Sequence, residues 1–124
     1  EQGRILIAAG EHHMRVLKDS RGYYIRSQPG ERVNGHCPAV DVLFNSIADL
    51  HTSNAIGVIL TGMGADGAKG LLRMRQAGAF TIGQNEASCV VYGMPMEAYK
   101  MGAVCKQLSL DQIPDEILYQ LNKH

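Results

Sequence analysis

Neither sign of charge prevails in this 124-residue chain: Lys and Arg together number 12, as do Asp and Glu. Without a net field there is no long-range pull toward nucleic acid or an anionic membrane surface, so partners must be recognised locally. Long hydrophobic runs are also missing. No stretch approaches the ~20 apolar residues that span a bilayer, and the apolar segment 4–9 is too short for the core of a signal peptide. Cysteine is scarce and unpaired. Cys37, Cys89 and Cys105 are an odd number without paired spacing, which argues against a disulfide framework and for reduced, buried or inert thiols in a cytosolic protein. CxxC and HExxH spacings are absent, so no metal site is expected. There is no internal repeat, low-complexity tract or linker. The first residue is Glu1 rather than Met, which suggests a start inside a longer gene product or after removal of a leader.

Apolar residues make up 45% of the chain and charged residues 19%, the balance of one folded domain over residues 1–124 rather than of a disordered tail. Residues 4–9, 14–19 and 23–27 read as strands, the last two joined by the turn chemistry of Asp19-Ser20-Arg21-Gly22 as a β-hairpin. Pro29-Gly30 and Asn34-Gly35 punctuate a loop ending at Pro38, whose fixed φ suits the first turn of a helix. Val40, Leu43, Phe44, Ile47 and Ala48 then form one apolar helical stripe, with Asp41 favourable near its N-terminus. Residues 55–61 are apolar throughout, as expected of a central strand covered on both faces. A glycine-rich turn, 62–67, leads into a helix with Ala68, Leu71 and Leu72 on its apolar face and Gly78 as its C-terminal stop. Residues 79–83 are the next strand. Strand, helix and strand in such short succession make a βαβ unit and therefore a parallel sheet. Beyond it the pattern predicts a helical turn over 86–92, a helix from Pro95 to Met101, a strand over 104–108 and a terminal helix from Asp111. The fold class is α/β: a mostly parallel sheet with a β-hairpin.

In such a sheet ligands bind beyond the carboxyl ends of the strands, which directs attention to the turn Thr61-Gly62-Met63-Gly64-Ala65-Asp66-Gly67. Two functional readings compete there. Gly62, Gly64 and Gly67 satisfy GxGxxG, with Glu86 about 20 residues on, as in a dinucleotide-binding module. Against it, the Asp66 carboxylate at the mouth of the following helix would compete for the amides a pyrophosphate needs. On the second reading Asp66 accepts a hydrogen bond from a histidine and fixes its tautomer, as the orienting member of a catalytic triad. A purely structural role, capping the helix that follows, accounts for the same residue.

Longer segments carry more. Thr61-Gly62-Met63-Gly64-Ala65-Asp66-Gly67-Ala68, then Met74-Arg75-Gln76-Ala77-Gly78-Ala79, then Gln84-Asn85-Glu86-Ala87-Ser88-Cys89-Val90-Val91-Tyr92-Gly93-Met94-Pro95 closely resemble the catalytic domain of bacterial chemotaxis-receptor methylesterases of the CheB type. Upstream, Ile7-Ala8-Ala9-Gly10 with His13-Met14, and His36-Cys37-Pro38-Ala39-Val40-Asp41-Val42-Leu43-Phe44, resemble the same family in the same order.

The resemblance implies a cytoplasmic protein-glutamate methylesterase. Such an enzyme hydrolyses γ-glutamyl methyl esters, and deamidates glutamines, on chemoreceptor cytoplasmic helices with a Ser-His-Asp triad on a doubly wound, Rossmann-like α/β domain, and needs no cofactor. By motif, Asp66 is the triad aspartate, and Met63 borders the site, where its backbone N–H could serve the oxyanion. The family's serine and histidine precede the region matched here, so the chain is expected to be truncated on its N-terminal side and inactive alone. Many relatives also place a phosphorylatable receiver domain ahead of it. Loss of the first strands would leave an open sheet edge inviting a homo-oligomer. A noncatalytic interaction module is a further alternative. His12 and His13 are expected to be turn or surface polarity, Cys89 a small core residue rather than a thiol nucleophile acting with His36 and Asp66, and Met94 and Met96 either an apolar wall beside the site or ordinary filling.

Overall fold

The stripe at Val40, Leu43, Phe44 and Ile47 forms the helix its spacing predicts, α1 (Val40–Ala48), in a computed structural model that describes residues 3–123. Ala39, not Pro38, is its cap residue, and Pro38 stands one position ahead of it. Phe44 and Ala48 are buried on the inner face. The hairpin β1 (His12–Asp19) and β2 (Gly22–Pro29) precedes it, in antiparallel register from His12 opposite Pro29 to Asp19 opposite Gly22. The Asp19 carboxylate closes the turn by accepting from the Arg21 amide at 2.8 Å. β1 is tied to α1 through Ser46, whose Oγ accepts from Val16 N at 2.9 Å and donates to the Leu43 carbonyl.

The main sheet is β3 (Ile56–Ile59), β4 (Phe80–Gln84) and β5 (Lys106–Leu108), all parallel and in that order. Helix α2 (Ala68–Gln76) connects β3 to β4, and α3 (Met94–Lys100) lies between β4 and β5. The chain closes with α4 (Ile113–Asn122) after a 3-10 turn at Leu110–Gln112. The α/β class and the βαβ unit are those the pattern predicts. α2 stops as expected: Gly78 has φ +108, and its N–H and that of Ala79 reach back to the Arg75 and Met74 carbonyls at 3.0 Å each, which closes the free end of the helix.

Three expectations change. Residues 4–9 form no strand; Ile5 and Ile7 are 93% and 89% exposed. An apolar stretch becomes a strand only where an edge offers paired donors and acceptors, and among the described residues none does so there. The centre of the sheet is β4 rather than β3, which has a strand neighbour on one side only among the described residues. The helical turn over 86–92 contracts to Glu86–Ser88, because the residues after it bond instead to the end of β3.

The core lies between the main sheet and α1, α2 and α3. Leu71, Met74, Ile59 and Phe44 are its large members, with Ala68, Ala79, Ala98 and Ala103 where elements approach closely. Gly57 of β3 shows how closely: a Cβ there would stand 2.6 Å from Leu71 Cδ1 and 3.1 Å from Met74 Cε. A fully buried leucine such as Leu71 contributes about 2–5 kcal/mol relative to alanine in such a setting. Among the described residues no helix is long and apolar enough to cross a membrane.

Candidate active site

The carboxyl ends of β3 and β4 hold two loops against each other. Gln84, the last residue of β4 and fully buried, accepts from Thr61 N at 2.7 Å through Oε1 and donates to the Ser88 carbonyl at 2.8 Å through Nε2. Thr61 Oγ1 donates to the Val91 carbonyl and accepts from Val91 N, at 3.0 and 2.8 Å. Gly62 N donates to the Val91 carbonyl, and the Gly62 carbonyl accepts from Gly93 and Met94. The turn 62–67 is therefore braced from β4 and from the loop ahead of α3, with Met63 at its tip, 80% exposed. Met94 packs its sulfur against Gly62, so it fills rather than walls an open site; Met96 is exposed.

Asp66 turns back from this loop and is only 7% exposed. It does not cap α2, whose cap residue is Gly67 at φ +99 with no side-chain bond. It caps α1 across the packing interface. Oδ2 accepts from Val40 N at 2.7 Å, and Oδ1 accepts from Asp41 N at 3.1 Å and from Asn34 Nδ2 at 2.9 Å. Ala39 has a methyl where a capping oxygen would sit, so α1's first amides depend on this distant carboxylate. A carboxylate has about four in-plane acceptor positions. Three are filled, and the remaining one belongs to Oδ2.

Asp41 completes the exchange. It is 6% exposed, accepts from Gly70 N at 2.7 Å through Oδ1 and from Asn34 Nδ2 at 2.7 Å through Oδ2. Asp41 therefore occupies the N-terminus of α2 while Asp66 occupies that of α1. Asn34 bridges them from a two-residue turn: Val33 and His36 exchange both backbone hydrogen bonds at 2.9 Å, with Asn34 at φ +54 and Gly35 at φ +81. Both values are left-handed, as a type I′ turn requires.

Asp66, Asp41 and Asn34 form one wall of a cleft of about 440 Å³, lined also by His36, Lys69, Glu97 and Met101. Of these residues the sequence pattern singles out only Asp66 as catalytic. Asn34 is legible as a turn signal and Asp41 as a helix-dipole residue, but their convergence on Asp66 is not, because 25 or more positions separate them from it along the chain. His36 stands in a motif of the resemblance without a role assigned by it, and Lys69 and Glu97 carry no local signal.

The dinucleotide pattern at Gly62, Gly64 and Gly67 loses its donors here. Gly70 N, in the first turn of α2, is taken by Asp41, so the anion opposing a phosphate at that helix is Asp41 rather than Asp66. Glu86 lies exposed at the start of its 3-10 turn. His13 is not surface polarity. It is 3% exposed, its Nε2 donates to the Glu31 carbonyl at 2.6 Å and its Nδ1 accepts from Ala39 N at 3.3 Å, which clamps the hairpin to the loop ahead of α1. His12 is partly exposed and bonds the Gly10 carbonyl through Nδ1. The thiols are less buried than expected: Cys37 and Cys89 are intermediate and Cys105 is exposed. Partial burial pushes the Cys89 thiol up, and the Glu86 carboxylate adds to this against a hydrogen bond with Thr61, which disfavours the thiolate a nucleophile needs. Among the described residues no group of three His, Cys, Asp or Glu is placed to hold a metal ion.

Known proteins resemble the chain in sequence and in fold. The family model described as CheB methylesterase matches residues 1–117. A protein named protein-glutamate methylesterase/protein-glutamine glutaminase 2 from Syntrophomonas wolfei is 59% identical over 121 residues, 98% of this chain and 35% of that protein. The protein-glutamate methylesterase/protein-glutamine glutaminase of Escherichia coli strain K12 is 52% identical over 120 residues, 97% of this chain and 34% of its own length. The crystal structure of the Thermotoga maritima CheB methylesterase catalytic domain superposes with a TM-score of 0.84 at 30% identity, covering 89% of this chain and 58% of that one. The chain thus spans about a third of the length of these curated relatives.

Proposed function

The chain belongs to the CheB methylesterase family, and from that premise we propose that it supplies the aspartate arm of a Ser-His-Asp ester hydrolase acting on γ-glutamyl methyl esters, and on glutamine amides, of chemoreceptor helices in the cytoplasm. The names of its relatives, protein-glutamate methylesterase and protein-glutamine glutaminase, support that substrate class. In this reading the serine and histidine come from polypeptide outside these 124 residues. The serine hydroxyl attacks the ester carbonyl and gives its proton to the imidazole, which passes it to the departing methanol. Water then splits the acyl-enzyme, leaving a glutamate carboxylate. The backbone N–H of Met63 is the donor assigned to the oxyanion of each tetrahedral intermediate. A receiver domain ahead of the catalytic region, gating this cleft, belongs to the same reading. For the isolated chain, the outer edge of β3, without a strand neighbour among the described residues, supports pairing between two copies, which sedimentation would reveal.

One observation carries the proposal: the Asp66 carboxylate is buried at the cleft wall and held by three donors, with one acceptor position left on Oδ2. A triad aspartate needs that state, fixed in orientation and unsatisfied only toward the histidine it orients. The test is Asp66→Asn in protein that contains the serine and histidine, read as methanol release from methylated receptor. Turnover should fall by about 10⁴-fold, because the imidazole then adopts the wrong tautomer, and far-ultraviolet circular dichroism separates this from the loss of one α1 cap bond where the new NH2 faces an N–H donor. Turnover within a few-fold of the parent would remove Asp66 from the mechanism.

A further inference from the structure

Asn34 makes two bonds that its turn does not require. A left-handed position in a type I′ turn is served equally by glycine, and the side chain of a turn asparagine is free to point into solvent. Here it points inward to Asp66 Oδ1 at 2.9 Å and Asp41 Oδ2 at 2.7 Å. Chemistry settles which end of the amide faces them: only the NH2 group can meet two carboxylates, and both its hydrogens are then used.

The other two donors to Asp66 come from successive amides of α1's first turn, hence from one side. Without Asn34, Oδ1 would keep only the Asp41 amide at 3.1 Å, the longest of the three bonds, and the carboxylate plane could swing about the bond to Val40. The two buried carboxylates would also lose the N–H donor that bridges them.

We propose that Asn34 is a positioning residue for Asp66: its amide bridges the two helix-capping aspartates and pins the Asp66 carboxylate plane, so that the open position on Oδ2 is held in one direction. The catalytic part of this rests on the triad reading of Asp66; the geometric part does not.

Two variants keep the left-handed turn, Asn34→Gly, which deletes the donor, and Asn34→Asp, which replaces it with a third carboxylate. In protein competent for methyl-ester turnover, Asn34→Gly should lower kcat by about 10- to 100-fold with KM unchanged, and Asn34→Asp should lower it further. In an Asp66→Asn background Asn34→Gly should cost nothing more, since a residue acting through Asp66 has no effect once that carboxylate is gone. An equal loss in both backgrounds, or a loss carried by KM, would overturn the proposal. The backbone amide proton resonances of Val40 and Asp41 supply a readout independent of catalysis. They should move in Asn34→Gly while far-ultraviolet circular dichroism stays the same, and unmoved resonances would overturn the positioning. If Asp66→Asn alone left turnover intact, the triad reading would fail and the amide resonances would still decide the geometric claim.

Discussion

Gly93 lies so close to Gly62 that a Cβ on Gly93 would stand 2.6 Å from the Gly62 carbonyl oxygen, 3.0 Å from Gly64 N and 3.2 Å from Met63 Cα. Its φ of −101° is open to any residue, so the demand for glycine here is steric and not conformational. All three obstacles are backbone of the turn that bears Met63 and Asp66, and backbone cannot rotate away as a side chain can.

Gly93→Ala should therefore cost about 1–3 kcal/mol in urea-induced unfolding and displace the turn 62–64. A stability equal to the parent's would mean that the two loops can separate without loss, against the five hydrogen bonds that join Thr61 and Gly62 to Val91, Gly93 and Met94.

Gly70 sets two effects against each other. In an exposed helix interior, alanine is better than glycine by about 1 kcal/mol. At this position of α2 a Cβ would meet Phe44 Cβ at 2.7 Å and Asp41 Oδ1 at 2.8 Å. The second effect should win, because the clash falls on a core aromatic and on the oxygen that accepts from Gly70 N. Gly70→Ala is expected to destabilise by about 1–3 kcal/mol, whereas Gly→Ala by propensity alone would stabilise; the sign of the change in the unfolding midpoint separates the two.

Glu116 of α4 accepts from Gln120 Nε2 at 2.8 Å and from Lys106 Nζ at 2.9 Å, and these bonds hold its carboxyl below the usual carboxylate range. A carboxylate lowered in the folded state stabilises it above the ordinary carboxylate range, and that contribution is lost as the pH falls through the lowered value. Amide exchange in α4 should accelerate selectively over that acid window. In Glu116→Gln the selective step should be missing, and a step that persists would assign it to another group.

The local elements were legible because they depend on neighbours in sequence. The spacing of Val40, Leu43, Phe44 and Ile47 specifies α1, and Gly78 ends α2 where a left-handed residue is needed. Whether an apolar stretch becomes a strand is a different matter, since pairing needs a second edge. Residues 4–9 and 55–61 look alike by composition, yet only the latter has β4 beside it. The burial of His13 is illegible in the sequence for a similar reason. Its burial comes from the Glu31 carbonyl and the Ala39 amide, both brought to it by a loop whose path the hairpin pattern does not reveal.

At the candidate site the sequence by itself determined the family, the α/β class and the turn that carries Met63 and Asp66, because these reside in contiguous motifs and short-range periodicity. Tertiary structure alone decided which helix Asp66 caps. The chain places that aspartate two residues before α2, but hydrogen-bond geometry answers to distance in space. Packing α1 against α2 brings the uncapped amides of Val40 and Asp41 to the carboxylate, and Asn34 with them.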